Sequence, residues 1–143
     1  MRKLGVWLVV LALVLTGCGA SGSGRREFKS LVYTVSGGIA GLDQRLNITA
    51  GGTFQLAEKD RPAKTGTLTP AEFKAVQSLV AAVNWPALQQ QYVNPRVADA
   101  IFEGVTVSLG AKSYTAVAGT GGQPPAELGA LLSRLNQVLT DHR

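Results

Sequence analysis

Runs in which apolar and polar residues alternate, cut by glycine clusters, set the strongest limit on what this chain can form. Leu31-Val32-Tyr33-Thr34-Val35 is β-branched and aromatic, a composition that fits a pleated, half-buried surface. Ser36-Gly37-Gly38-Ile39-Ala40-Gly41 interrupts it. Alternation resumes from Leu42 to Thr49, with Leu46 and Ile48 on one side and Arg45 and Asn47 on the other. Ala50-Gly51-Gly52 supplies a hairpin turn, where glycine reaches positive φ at no steric cost. Thr53 to Glu58 alternates again, and a loop through Arg61-Pro62 leads to a short segment, Thr65 to Leu68. Successive side chains on a strand point to opposite faces, so this pattern predicts a hairpin-linked sheet with one buried side.

The period changes at Thr69. Thr69 as N-cap, Pro70 at the first helical position and Glu72 three residues past the cap spell a capping box, with Leu68 and Phe73 placed for a hydrophobic staple. Phe73, Val76, Leu79, Val80 and Val83 recur at helical spacing until Asn84 and Pro86 stop the helix. Leu88 to Tyr92 reads as one further turn, with Trp85 and Tyr92 at the core edge. Ile101–Leu109 and Ser113–Ala118 form a second hairpin around Gly110-Ala111-Lys112. A last helix, Ala126 to Thr140, carries the apolar stripe Leu128, Leu131, Leu132, Leu135, Val138 and Leu139. The order β-meander, helix, hairpin, helix predicts an α+β fold, with meander and hairpin in one antiparallel sheet packed against two main helices.

The N-terminus belongs to a different chemistry. Arg2 and Lys3 precede an apolar run from Leu4 to Leu15, broken only by Gly5, that ends in Leu15-Thr16-Gly17-Cys18. A bilayer span needs about 20 apolar residues, so the run fits the apolar region of a signal peptide instead. Leu15-Thr16-Gly17-Cys18 resembles the bacterial lipobox. That resemblance implies lipid on Cys18 and cleavage just before it. Cys18 is the only cysteine, so an intramolecular disulfide is excluded and lipidation would consume the one thiol. The expected organisation is a signal peptide at 1–17, lipidated Cys18 with a flexible tether at 18–30, and a single domain at 31–143. The protein is then expected on the cell membrane or an outer membrane, lipid-anchored and facing outside the cytoplasm. Gly19-Ala20-Ser21-Gly22-Ser23-Gly24 is too poor in apolar residues to fold and reaches only about 12–15 Å. Of the net charge of +5, Arg2 and Lys3 leave with the signal peptide. The remaining positive residues are scattered, apart from Arg25, Arg26 and Lys29 beside the tether. Without a dense basic stripe, a nucleic-acid partner is not expected.

Catalytic groups are scarce. His142 is the only histidine and lies beside a terminus expected to fray, which leaves no Ser-His-Asp or Cys-His arrangement and no zinc ligand set. Asp99 and Glu103 could face one another across a loop, but a solvated strand start is the better reading. Gly37–Gly41 opens a strand rather than a helix, and Gly119-Thr120-Gly121-Gly122 lacks a lysine, so neither cradles phosphate. The expectation is a binding module with no catalytic residue, metal or cofactor.

A short apolar strand, Gly37-Gly38-Ile39-Ala40-Gly41, a second strand, a capped helix and a leucine-rich final helix are together similar to the emfourin (protealysin inhibitor) family. The similarity in element order runs over residues 31–140, and its sharp part is the five-residue motif. The resemblance implies inhibition of thermolysin-like metalloproteases, with Gly37, Gly38, Ile39, Ala40 and Gly41 as the partner-binding loop. Glycine lets a backbone approach a cleft closely, and a rigid loop loses little entropy on binding. Ile39 is the one large side chain in it. The competing reading is a glycine-rich turn whose Ile39 tucks into the core. Expected partners are the membrane, through Cys18, and an envelope protein, which the resemblance narrows to a thermolysin-like protease.

Overall fold

A computed structural model describes residues 27–143. The expected signal peptide, Cys18 and the glycine-serine tether lie outside these residues. The elements are β1 (Phe28–Gly37), β2 (Leu42–Thr49), β3 (Thr53–Glu58), β4 (Lys64–Thr67), α1 (Pro70–Ala82), a single 3₁₀ turn (Trp85–Ala87), β5 (Gln91–Tyr92), β6 (Ile101–Leu109), β7 (Lys112–Gly119) and α2 (Ala126–Asp141). All seven strands share one sheet in the order β4-β3-β2-β1-β6-β7-β5. Every pairing is antiparallel except β5 with β7. The fold is the expected α+β arrangement of meander, hairpin and two helices that pack together.

Register follows from the alternation. Leu56, Leu46, Tyr33, Val105 and Ala116 stand side by side across β3, β2, β1, β6 and β7, and all five are buried. The intervening row of Gln55, Asn47, Val32, Thr106 and Thr115 faces the other way. That open face meets its hydrogen-bonding needs across strands, through Thr106–Thr115 at 2.9 Å, Ser108–Ser113 at 3.0 Å and Thr49–Thr53 at 2.7 Å. Both helices cover the apolar face and cross the strands. α1 starts over β1, with Phe73 edge-on to Phe28 at 5.8 Å. Just beyond its end, Trp85 lies 6.3 Å from Tyr114 of β7. α2 returns, and His142 at its end lies on Phe54 of β3 at 4.6 Å. Leu128, Leu131, Leu132, Leu135, Val138 and Leu139 are all buried between α2 and its neighbours.

Beyond shifts of a residue or two at element ends, three features differ from the sequence reading. β1 begins at Phe28, not Leu31, because Phe28 itself is buried and seeds the strand against Phe73. The segment Leu88–Tyr92 is not a helical turn. The 3₁₀ turn ends at Ala87, and Gln91–Tyr92 pairs in parallel with Val117–Ala118, at the sheet's edge. His142 does not fray: it caps α2, and its ring lies 3.1 Å from Glu72 of α1.

The capping box at Thr69 is present in both directions. Glu72 N–H donates to Thr69 Oγ1 at 3.2 Å, and Thr69 N–H donates to the Glu72 carboxylate at 2.8 Å. The Thr69 backbone bond, then its hydroxyl, then His142 hold the Glu72 carboxyl below its ordinary range. A carboxyl depressed by folding stabilises the fold above its unfolded pKa, and that contribution is lost as pH falls through the folded value. Thermal unfolding of Glu72→Gln should therefore show a lower midpoint than the parent at pH 7, with the difference narrowing below about pH 4. Thr69→Ala should cost about 1 kcal/mol in denaturant unfolding.

Candidate functional site

The β1–β2 connection is a tight hairpin whose flanking pair is Gly37 and Leu42. Gly37, Gly38 and Gly41 take φ of 90°, 70° and 58°, a region that costs an L side chain strain. Gly41 N–H donates to the Gly38 carbonyl at 3.0 Å, which closes the turn. Gly38 N–H donates to the Ala100 carbonyl at 3.1 Å, which ties the loop to the residue before β6. A Cβ on Gly37 would overlap that same Ala100 oxygen. The loop therefore has its shape fixed by backbone bonds, and at Gly37 only glycine fits.

Its crest carries Ile39, 91% exposed, beside an exposed Ala40. Ile39 does not tuck into the core. Register places Ile101 beside Gly37 and Phe102 beside Ser36, so the loop's apolar crest continues into the start of β6. Ile101 also comes close to Gly38. Phe102 uses the space left by two missing side chains, since a Cβ on Gly37 or on Gly119 would sit 3.4 or 3.2 Å from its ring. Val93 flanks the same Gly119. Ile39, Val93, Ile101 and Phe102 are the exposed large apolar side chains among the described residues, and all four gather at this one end of the sheet. Consecutive on β6, Ile101 and Phe102 lie on opposite faces of the sheet, so Ile101 extends the loop's crest toward the helix side while Phe102 and Val93 meet at Gly119.

Below the loop, on the helix side, lies a groove of about 420 Å³ lined by Val35, Leu42 and Ile101 with Gln44, Glu103 and Arg143. A second hollow of about 270 Å³ adjoins it across Leu42 and Gln44, toward Glu58 and Arg61. Their polar walls are internally matched. The Glu58 side chain, 7% exposed, accepts from Gln44 Nε2 at 3.0 Å, Arg61 Nη1 at 3.0 Å and Arg143 Nε at 2.6 Å. A carboxylate so buried is held by its hydrogen-bonded cations, and removing them would leave a costly unpaired charge. Glu103 accepts from the buried Tyr33 hydroxyl. Burial first, and then the Glu103 bond and charge, push the Tyr33 phenol far above its ordinary pKa, so it stays a proton donor.

Glu103 is thus not part of a solvated strand start. It belongs to the helix-covered face with Val105 and Val107, two and four residues on, and that spacing was the available signal. Asp99, exposed at φ 54°, remains outside this pair. The Glu58 cluster joins residues up to 85 positions apart, which no local pattern announces. Gly119–Gly122 is a turn, closed by Gly122 N–H on the Gly119 carbonyl at 2.8 Å. Among the described residues no three His, Cys, Asp or Glu side chains come together as a metal set. The arrangement supports recognition: an apolar crest on a fixed loop, with a groove alongside. No protein-family model matches the chain, and no curated protein is significantly similar to it in sequence.

Proposed function

We propose that this protein is a non-enzymatic, lipid-anchored binding module of the cell envelope that engages a protein partner through Gly37–Gly41. The observation that carries this reading is Ile39, 91% exposed on a loop held by backbone hydrogen bonds. Exposing a large aliphatic side chain offers folding nothing, while a partner that covers it gains roughly 1.5–3 kcal/mol. A loop already fixed in shape loses little further entropy when it binds. The anchor rests on Leu15-Thr16-Gly17-Cys18 and has its own test. Intact mass of the mature chain should show acyl groups on Cys18, and Cys18→Ser should move the protein out of the membrane fraction.

One reading names the partner: inhibition of thermolysin-like metalloproteases, as the likeness to the emfourin family implies. The same exposure of Ile39 favours it, because an inhibitory loop has to present its side chain to a cleft. Under this reading the 27–143 domain, which carries the hydrophobic core of the described residues, inhibits a thermolysin-like protease at micromolar concentration. Ile39→Asp abolishes the inhibition while leaving the unfolding midpoint within about 0.5 kcal/mol of the parent, as expected for an exposed site. Full protease activity in the presence of micromolar parent domain would remove this reading.

A further inference from the structure

β1 separates the chain's two points of attachment. Phe28 continues from the segment that leads back to Cys18, and Gly37 opens the loop. Ten residues at about 3.3 Å each put roughly 30 Å between them. For a glycine-serine-rich composition, nine steps from Cys18 to Glu27 correspond to an average reach of only about 15–18 Å. The tether thus brings the Phe28 end to a bilayer, while the loop lies a strand's length further along.

The two ends also differ in charge. At the Phe28 end stand the β2–β3 turn, where Ala50 N–H donates to the Lys29 carbonyl at 3.0 Å, and the β6–β7 turn, where Leu109 pairs with Phe28. Lys29 and Lys112 are exposed there with the acid Glu27, and Arg25 and Arg26 directly precede Glu27 in sequence, which leaves basic residues in excess. At the loop end the exposed Asp43, Asp60 and Asp99 are interleaved with Lys59 and Arg61, so positive charge is not in excess. Clustered basic residues next to an anchor are drawn to anionic headgroups within a Debye length of the surface.

We propose that the anchored domain stands on its Phe28 end, with Lys29 and Lys112 against anionic lipid headgroups. The stance holds Ile39 about 30 Å further from the bilayer, where it meets a water-soluble protein and not one embedded in the membrane. It rests on the anchor at Cys18 and on the loop reading given above.

The test uses the full lipidated chain in vesicles of mixed neutral and anionic phospholipid carrying a headgroup energy acceptor. A fluorophore is attached at Ala111→Cys or at Ala40→Cys, both exposed positions. Transfer to the lipid acceptor should be several-fold stronger from 111 than from 40. Neutral vesicles, or Lys29→Glu with Lys112→Glu, should narrow that gap. Equal transfer from the two positions in a membrane-bound protein overturns the stance. A gap unchanged by both manipulations overturns the headgroup contact. Binding to vesicles that is the same for Cys18→Ser shows instead that the anchor reading has failed, and the stance falls with it.

Discussion

Leu135→Ala should lower the unfolding free energy by about 3–5 kcal/mol. Leu135 is fully buried at the middle of the α2 stripe, in a cluster that includes Leu131, Val138 and the sheet residues beneath. Deleting its branch removes transfer free energy and leaves a cavity that an interior at crystal-like density closes only in part. Domains of this size are stable by about 5–15 kcal/mol, so the variant would approach the margin. Urea unfolding followed by circular dichroism would read the change as a lower midpoint at unchanged slope.

Gly37→Ala is the second. The new Cβ would meet the Ala100 carbonyl, and the backbone there has φ 90°. Both the left-handed conformation and the clash oppose it, at about 2–4 kcal/mol together. Gly41→Ala is the internal comparison. Its φ is 58°, in the left-handed region, but a Cβ there meets nothing within 4 Å, so only the conformational cost of about 1 kcal/mol remains. The pair separates strain from collision. Gly37→Ala should also break the Gly38–Ala100 bond that fixes the loop, so partner binding should fall even at temperatures where the domain stays folded. Gly41→Ala should keep most of it.

What the sequence revealed was local. Thr69, Pro70 and Glu72 are near neighbours, and the helix they start is the one they spell. The α2 stripe is likewise written in spacing alone. Alternation placed Tyr33, Leu46, Leu56 and Val105 on one face because a strand's period is fixed. What stayed hidden was non-local. Gln91–Tyr92 is too short to show a period and becomes a strand only because β7 offers it an edge. The Glu58 cluster depends on the register of β2 against β3 and on where α2 ends. Ile39 illustrates the limit at the site itself. It lies an even number of residues from Tyr33 and Val35, so unbroken alternation would bury it. Gly37 ends β1, however, and the phase does not carry through the turn. The motif's place was legible, and its exposure was not.

The central claim is that the Gly37–Gly41 loop, and not the open sheet face, meets the partner. A photo-crosslinking residue at Ala40, in cells making the full chain, tests it against one at Gln55, which stands exposed on the open face. A discrete protein adduct from position 40, absent from position 55 and lost when Ile39→Asp is added, is the predicted result. An adduct from position 55 with none from position 40 would contradict it.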